Sequence, residues 1–173
     1  TTGAPPIDYA RLEETIRLAV RFLENVLDRN RYPLKDIEIA TLRTRKIGLG
    51  IMGFADLLIA LNIPYDSEGA IDQATSLMSF VQTRAHEASR QLALERGLFP
   101  AYRGSRLEAG REKRRNATVT TIAPTGTISL IAGCSPGIEP LYGVRILRRA
   151  LEGLELTMVH PAFVRMLRAH GLS

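Results

Sequence analysis

Apolar residues recur at helical spacing over residues 8–30, where Tyr9, Leu12, Ile16, Ala19, Val20, Leu23, Val26 and Leu27 share one stripe. Arg11, Glu14, Arg17, Arg21 and Asp28 take the opposite face, which predicts an amphipathic helix with a core side and a solvated back. Asp8 offers an oxygen to the first unpaired amides, and Arg31-Tyr32-Pro33 ends the helix because a residue before proline leaves the helical region. Thr1 to Pro6, closing on two prolines, reads as a loop. Phe54, Leu57, Leu58 and Leu61 predict a short apolar helix from about Gly53 to Leu61, broken by Asn62-Ile63-Pro64-Tyr65. A long helix follows, capped by Asp66 or Ser67 with Glu68 in its first turn. Its stripe is Ile71, Ala74, Leu77, Met78, Val81, Ala85, Ala88 and Leu92, and Gly97 stops it. His86 lies off that stripe and reads as a surface or boundary residue. Ala162 to Ala169 predicts a last helix with Pro161 in its first turn.

The pattern changes between these helices. Ala117 to Ala123 is a β-branched run with few charges, as a core strand requires. Pro124 stops it, because proline cannot donate to a ladder, and Gly126 allows a tight bend and close approach to the backbone. Thr127, Ile128, Ser129, Leu130 and Ile131 then read as a helical turn opened by hydroxyl residues. Ala132 to Pro140 is rich in turn formers and reads as a compact loop. Leu141 to Leu147 reads as a further strand, and Arg148 to Gly153 as a connection. A strand, a glycine turn and a helix start have a chemical use. The first amides of a helix lack internal partners and carry the positive end of its dipole. Neighbouring hydroxyls add donors, so such a turn can hold a phosphate without a lysine. A capped turn that binds nothing has the same pattern.

Composition narrows this picture only in part. The 173 residues suit about one domain, and 45% hydrophobic with 24% charged residues is an ordinary globular balance. The first residue is Thr1, which is read as a mature product or a piece of something longer. No apolar run nears the roughly 20 residues a membrane span needs, and no secretory leader is seen. One cysteine allows neither an internal disulfide nor a cysteine-built zinc site, so a reducing, cytoplasmic setting is expected. A net charge of +5 favours anionic partners without choosing among nucleotide, nucleic acid and membrane surface.

Other motifs carry weaker chemistry. Gly48-Leu49-Gly50-Ile51-Met52-Gly53 has the formal spacing of a dinucleotide turn. However, Thr41 to Lys46 is too charged for the buried strand that should precede it, and no acidic residue ends a second strand about 20 residues on. A structural turn that lets a helix pack closely is the preferred reading. Gly104 to Arg115, with Arg106, Arg111, Lys113, Arg114 and Arg115, is the most basic stretch and reads as a surface loop or loosely held helix. A nucleic-acid arm there would lack stacking aromatics apart from Tyr102. His160 and His170 have no partner at metal-binding spacing, so no metal site is expected. Cys134, between Gly133 and Ser135 with no histidine nearby in sequence, reads as a small buried hydrophobe rather than a nucleophile.

Three stretches together carry a family resemblance: Arg45 to Asp56, Arg115 to Ser129, and Ala132 to Pro140. They resemble the large, catalytic subunit of ribonucleotide reductase, closest to its adenosylcobalamin-dependent branch. Val20 to Leu27, Tyr32-Pro33 and Ile63 to Ser67 resemble that branch too, in the same order from about residue 8 to the end. The resemblance implies an α/β fold: part of a ten-stranded barrel of two half-barrels, helix-rich with two or three strands. Residues 1–173 would be one fragment of it, with 8–100 mainly helical, 116–147 strand–phosphate loop–strand, and 161–170 a terminal helix. It implies that Pro124, Thr125, Gly126, Thr127 and Ile128, with Ser129 adjacent, hold the phosphates of a ribonucleoside di- or triphosphate. Reduction to the deoxyribonucleotide in this family uses a thiyl radical, two redox cysteines and an Asn-x-Cys-x-Glu loop. One cysteine cannot fill those roles, Cys134 does not match them, and Glu139 belongs to the Gly-Ile-Glu-Pro signature without a catalytic role. The resemblance therefore implies a segment with the phosphate grip and no catalytic residue, inactive alone. Adenosylcobalamin, a thioredoxin-type reductant, the rest of the reductase chain and a homodimeric assembly follow from the family only. A basic nucleic-acid-binding module and a dinucleotide-binding domain stand as the alternatives.

Overall fold

The computed structural model describes residues 7–149, 155–169 and 171–172. The expected Thr1 to Pro6 loop, residues 150–153 of the expected connection, and His170 lie outside them. The described chain runs α1 (Tyr9–Arg29), α2 (Lys35–Thr44), α3 (Phe54–Leu61), α4 (Glu68–Arg96), α5 (Arg106–Ala109), α6 (Ile128–Ala132), β1 (Arg145–Arg149), β2 (Glu155–Val159) and α7 (Pro161–Ala169). It divides into two compact units, one of Pro6–Ile51 with Ile71–Ala123, the other of Met52–Ala70 with Pro124–Ser173.

The first unit is built on α1 and the greater part of α4. Asp8 caps α1 by accepting from the Arg11 amide at 2.9 Å, as its position predicts. Ile16 and Val20 of α1 are buried, as are Leu77, Val81, Ala85, Ala88 and Leu92 of α4, so both stripes form core. Their ends do not: Tyr9, Val26 and Ile71 are exposed. Gly97, at φ 82°, follows the last turn of α4. An unforeseen helix, α2, follows α1. Asp36 and Glu38 stand in its first turn and Arg43 in its last, matching the helix dipole, while none of its residues is buried.

Residues 46–50 correct the reading of the glycine run. They are extended and run parallel to residues 117–121, with Leu49 paired to Thr120. The Ile47 amide donates to Thr118 O at 3.1 Å, the Leu49 amide to Val119 O at 2.7 Å, and the Thr121 amide to Leu49 O at 3.0 Å. A β-carbon on Gly48 would stand 2.8 Å from Thr121 Cγ2, and one on Gly50 would stand 3.0 Å from the Thr121 carbonyl. These glycines thus admit a neighbouring extended segment, not a helix. The expected strand over Ala117 to Ala123 shrinks to this single bridge.

A polar cluster sits inside the same unit. Glu24, fully buried on the apolar side of α1, accepts from Arg45 Nε at 2.7 Å, Arg115 Nε at 2.7 Å and Asn116 Nδ2 at 2.6 Å. Asn116 Oδ1 in turn accepts from Ser89 Oγ of α4 at 2.9 Å. The Arg115 guanidinium also reaches the carbonyls of Arg96, Gly97 and Leu98, which fall at the end of α4 and lack helical partners. The basic stretch is therefore not wholly a surface loop. Arg114 and Arg115 turn inward, and only the four-residue α5 interrupts the irregular segment before them.

In the second unit, α3 forms where expected and buries Phe54, Ala55 and Leu58. β1 and β2 pair antiparallel with Arg145 opposite Val159 and Arg149 opposite Glu155. The strand expected over Leu141 to Leu147 begins only at Arg145, and its partner β2 was not foreseen. α7 starts at Pro161, whose missing amide is no loss in a first turn. Among the described residues the strands form this one two-stranded sheet and the isolated bridge, and no barrel is seen.

Candidate functional site

All six residues expected at the phosphate turn fall in the second unit, running from Pro124 into the first turn of α6. Thr125, not Gly126, makes the bend: its φ is 48°, a region that β-branched residues rarely occupy. The cause is a hydrogen bond. The Gly137 amide donates to Thr125 Oγ1 at 2.7 Å and holds that side chain against the Ser135 to Gly137 turn. The Ser129 amide donates to Thr125 O at 3.0 Å, and buried Ser129 Oγ donates to Gly126 O at 3.3 Å. Both donors of Ser129 thus serve the loop itself. The amides of Gly126, Thr127 and Ile128 make no hydrogen bond among the described residues. Pro124, Gly126 and Ser129 line one wall of an open cavity of about 470 Å³, while Thr125, Thr127 and Ile128 lie outside its lining. A β-carbon added to Gly126 would meet nothing within 4 Å, so this glycine faces space.

The rest of the lining brings in residues from three places in the sequence. Cys134, Ser135 and Glu139 come from the turn-rich loop, Tyr142 from the segment before β1, and His160 from the start of α7. Leu130, Leu141 and Val159 make the lining mostly apolar. Cys134 is half-buried, and burial first, then the nearby Asp56 carboxylate, push its thiol above the ordinary range. It stays a neutral thiol, which suits neither a nucleophile nor a metal ligand. The Tyr142 hydroxyl donates to Glu139 Oε2, and that bond raises its pKa above the ordinary phenol value.

Asp56 is the polar hub that the sequence pattern did not single out. Its Oδ2 accepts from the Ser135 amide at 2.5 Å, and its own amide donates to Ser135 Oγ at 3.3 Å. Its Oδ1 lies 2.7 Å from His160 Nε2. Nδ1 of the same ring accepts from the Ala162 amide at 3.3 Å, which leaves the proton on Nε2, directed at Asp56. The Gly53 amide donates to Ser135 O at 2.8 Å, and Tyr65 Oη to Ile138 O at 2.7 Å. Asp56 closes the Arg45 to Asp56 stretch and stands in the first turn of a helix, but neither signal points to its partners, which lie 79 and 104 residues away.

The other candidate motifs fare less well. Thr121 fills the space behind Gly48 and Gly50, leaving no room there for a pyrophosphate. Arg114 and Arg115 are turned inward, which removes two of the five cations from a nucleic-acid face. His86 is half-buried beside the core stripe. Among the described residues no group of three or more His, Cys, Asp or Glu side chains could hold a metal ion, and no helix is long and apolar enough to cross a membrane. The cavity does not fit a corrinoid: it is sized for a small ligand, and His160 has both ring nitrogens engaged.

Comparison with known proteins adds four findings. The family model for the barrel domain of ribonucleotide reductase matches residues 2–173. The vitamin B12-dependent ribonucleoside-diphosphate reductase of Thermoplasma acidophilum is 51% identical over 166 residues, 96% of this chain and 22% of that protein. The reductase of the same description from Mycobacterium tuberculosis strain H37Rv is 54% identical over 165 residues, 95% of this chain and 23% of that protein. The ribonucleoside-diphosphate reductase subunit alpha of Chlamydia pneumoniae is 34% identical over 203 residues, 96% of this chain and 19% of that protein. The chain thus spans about a quarter or less of the length of these relatives.

Proposed function

We propose, since this chain belongs to the ribonucleotide reductase family, that it is the part of the catalytic barrel that holds the substrate's phosphates. The observation that carries the reading is the set of uncommitted amides at Gly126, Thr127 and Ile128, with Gly126 facing open space beside the cavity. Unpaired backbone amides at a turn and helix start can bind an anion without a charged side chain. The free O–H directions of Thr125 and Thr127 lie in the same turn. Thr125 Oγ1 spends only an acceptor on Gly137, so its hydrogen remains available.

In the proposed enzyme a ribonucleoside di- or triphosphate is reduced to the deoxyribonucleotide by radical chemistry. Adenosylcobalamin would supply the radical, and it would be held by parts of the polypeptide other than the residues described here. The redox cysteines would come from the same remainder, because the single cysteine of this chain, Cys134, cannot fill the three roles. A thioredoxin-type reductant, a homodimeric assembly and a cytoplasmic setting complete the proposal. What these residues contribute is orientation: a fixed grip on the anionic tail leaves the ribose at one position. The fragment alone catalyses nothing.

Gly126→Val in the full-length polypeptide tests the reading. The added side chain meets no neighbour within 4 Å of its β-carbon, so it obstructs the anion without disturbing packing. KM for the ribonucleotide should rise by about tenfold or more, with thermal stability retained. An unchanged KM counts against the assignment.

A further inference from the structure

We propose that Asp56 and His160 are positioning residues, which fix the phosphate turn by way of the Ser135 to Gly137 turn; this rests on the phosphate reading above. Two sets of hydrogen bonds joined by the short backbone run from Ser135 to Gly137 make the link. It begins at the first turn of α7, where the Ala162 amide donates to His160 Nδ1 at 3.3 Å. His160 Nε2 meets Asp56 Oδ1 at 2.7 Å, and Asp56 Oδ2 accepts from the Ser135 amide at 2.5 Å. Two residues further on, the Gly137 amide donates to Thr125 Oγ1 at 2.7 Å. That last bond holds a β-branched residue at φ 48°, a strained conformation that persists only where its surroundings impose it. The amides of Gly126, Thr127 and Ile128 follow directly from that bend.

Neither side chain is free to act on a ligand itself. His160 lines the cavity, but both of its nitrogens are engaged. Both carboxylate oxygens of Asp56 are likewise engaged. The pair therefore acts through the backbone it holds. Asp56 also stands in the first turn of α3, where a carboxylate is favoured, so the turn is tied to two helix starts at once.

Donor and acceptor logic gives a test with a rescue. Asp56→Asn keeps an oxygen for the Ser135 amide but turns an N–H toward the Nε2 proton of His160. Moving that proton to Nδ1 only transfers the conflict to the Ala162 amide. His160→Gln added to Asp56→Asn removes it, because the introduced carbonyl can accept from the introduced amide. His160→Ala cuts the same tie without opposing two donors, and serves as the second variant if Asp56→Asn folds poorly.

The measurements are amide hydrogen exchange over residues 125–137 and ribonucleotide kinetics, both on the full-length polypeptide. Asp56→Asn and His160→Ala should each raise exchange in this segment by about tenfold. KM should rise by a similar factor while kcat stays within about twofold, and the double variant should recover both readouts. Exchange that stays at the wild-type level in both single variants overturns the inference, and so does a double variant that is not rescued. Restored exchange with a KM that never moved keeps the positioning and removes the phosphate reading instead.

Discussion

Cys134 stands beside a carboxylate in a partly buried wall, and both surroundings oppose the thiolate. The folded thiol therefore holds its proton to higher pH than a free cysteine. Its alkylation by iodoacetamide should therefore rise with a midpoint above the ordinary value of about 8.5. Asp56→Asn removes the second of the two causes and should bring that midpoint down. A midpoint at or below the ordinary value contradicts the described environment. Thr125 shows how far single residues can be read in advance. A bend after Pro124 was legible, and Gly126 is the residue that bends at least cost. The structure bends at Thr125 because the Gly137 amide, 12 residues on, takes its hydroxyl. No local pattern carries that information.

Helices were legible where a stripe repeats over several turns, as in α1 and α4, since periodicity is a local property, while α3 was legible from a short apolar cluster and α7 from Pro161 at its first turn. α2 escaped because Ile37, Ile39 and Leu42 do not fall on one face and none of its residues is buried. The extended pair at residues 46–50 and 117–121 was legible on one side only. Its first member has just Ile47 and Leu49 as apolar residues beside Gly48 and Gly50, and its partner lies some 70 residues along the chain. The glycines carry a prediction at this scale. Gly48→Ala would place a β-carbon 2.8 Å from Thr121 Cγ2, so one segment must shift. We expect a loss of about 1–3 kcal/mol, read from the urea midpoint of the full-length polypeptide. Gly126→Ala, which meets open space, is the control and should cost far less. Equal midpoints for the two variants would remove the close-approach explanation.

At the scale of the molecule, one unit is fastened by a buried ionic cluster and the other carries the candidate site. Glu24 faces two guanidinium groups and an amide with no water-exposed surface of its own. Glu24→Gln leaves Arg45 and Arg115 without their shared counter-charge, and breaking such a buried set costs about 3–5 kcal/mol. Chemical denaturation of the full-length protein should show that loss, and a change below about 1 kcal/mol would mean the arginines find water or other acceptors. The family was legible because its motifs are contiguous, whereas the Asp56 hub was not, because folding assembles it from three separate segments. The most direct measurement is calorimetric binding to the full-length polypeptide and to its Gly126→Val variant, using a ribonucleoside diphosphate and the same nucleoside without phosphates. A phosphate seat at Gly126 to Ile128 predicts that the variant loses at least about tenfold in affinity for the diphosphate, or about 1.4 kcal/mol, and nothing for the bare nucleoside. Equal affinity of wild type and variant for the diphosphate would contradict it.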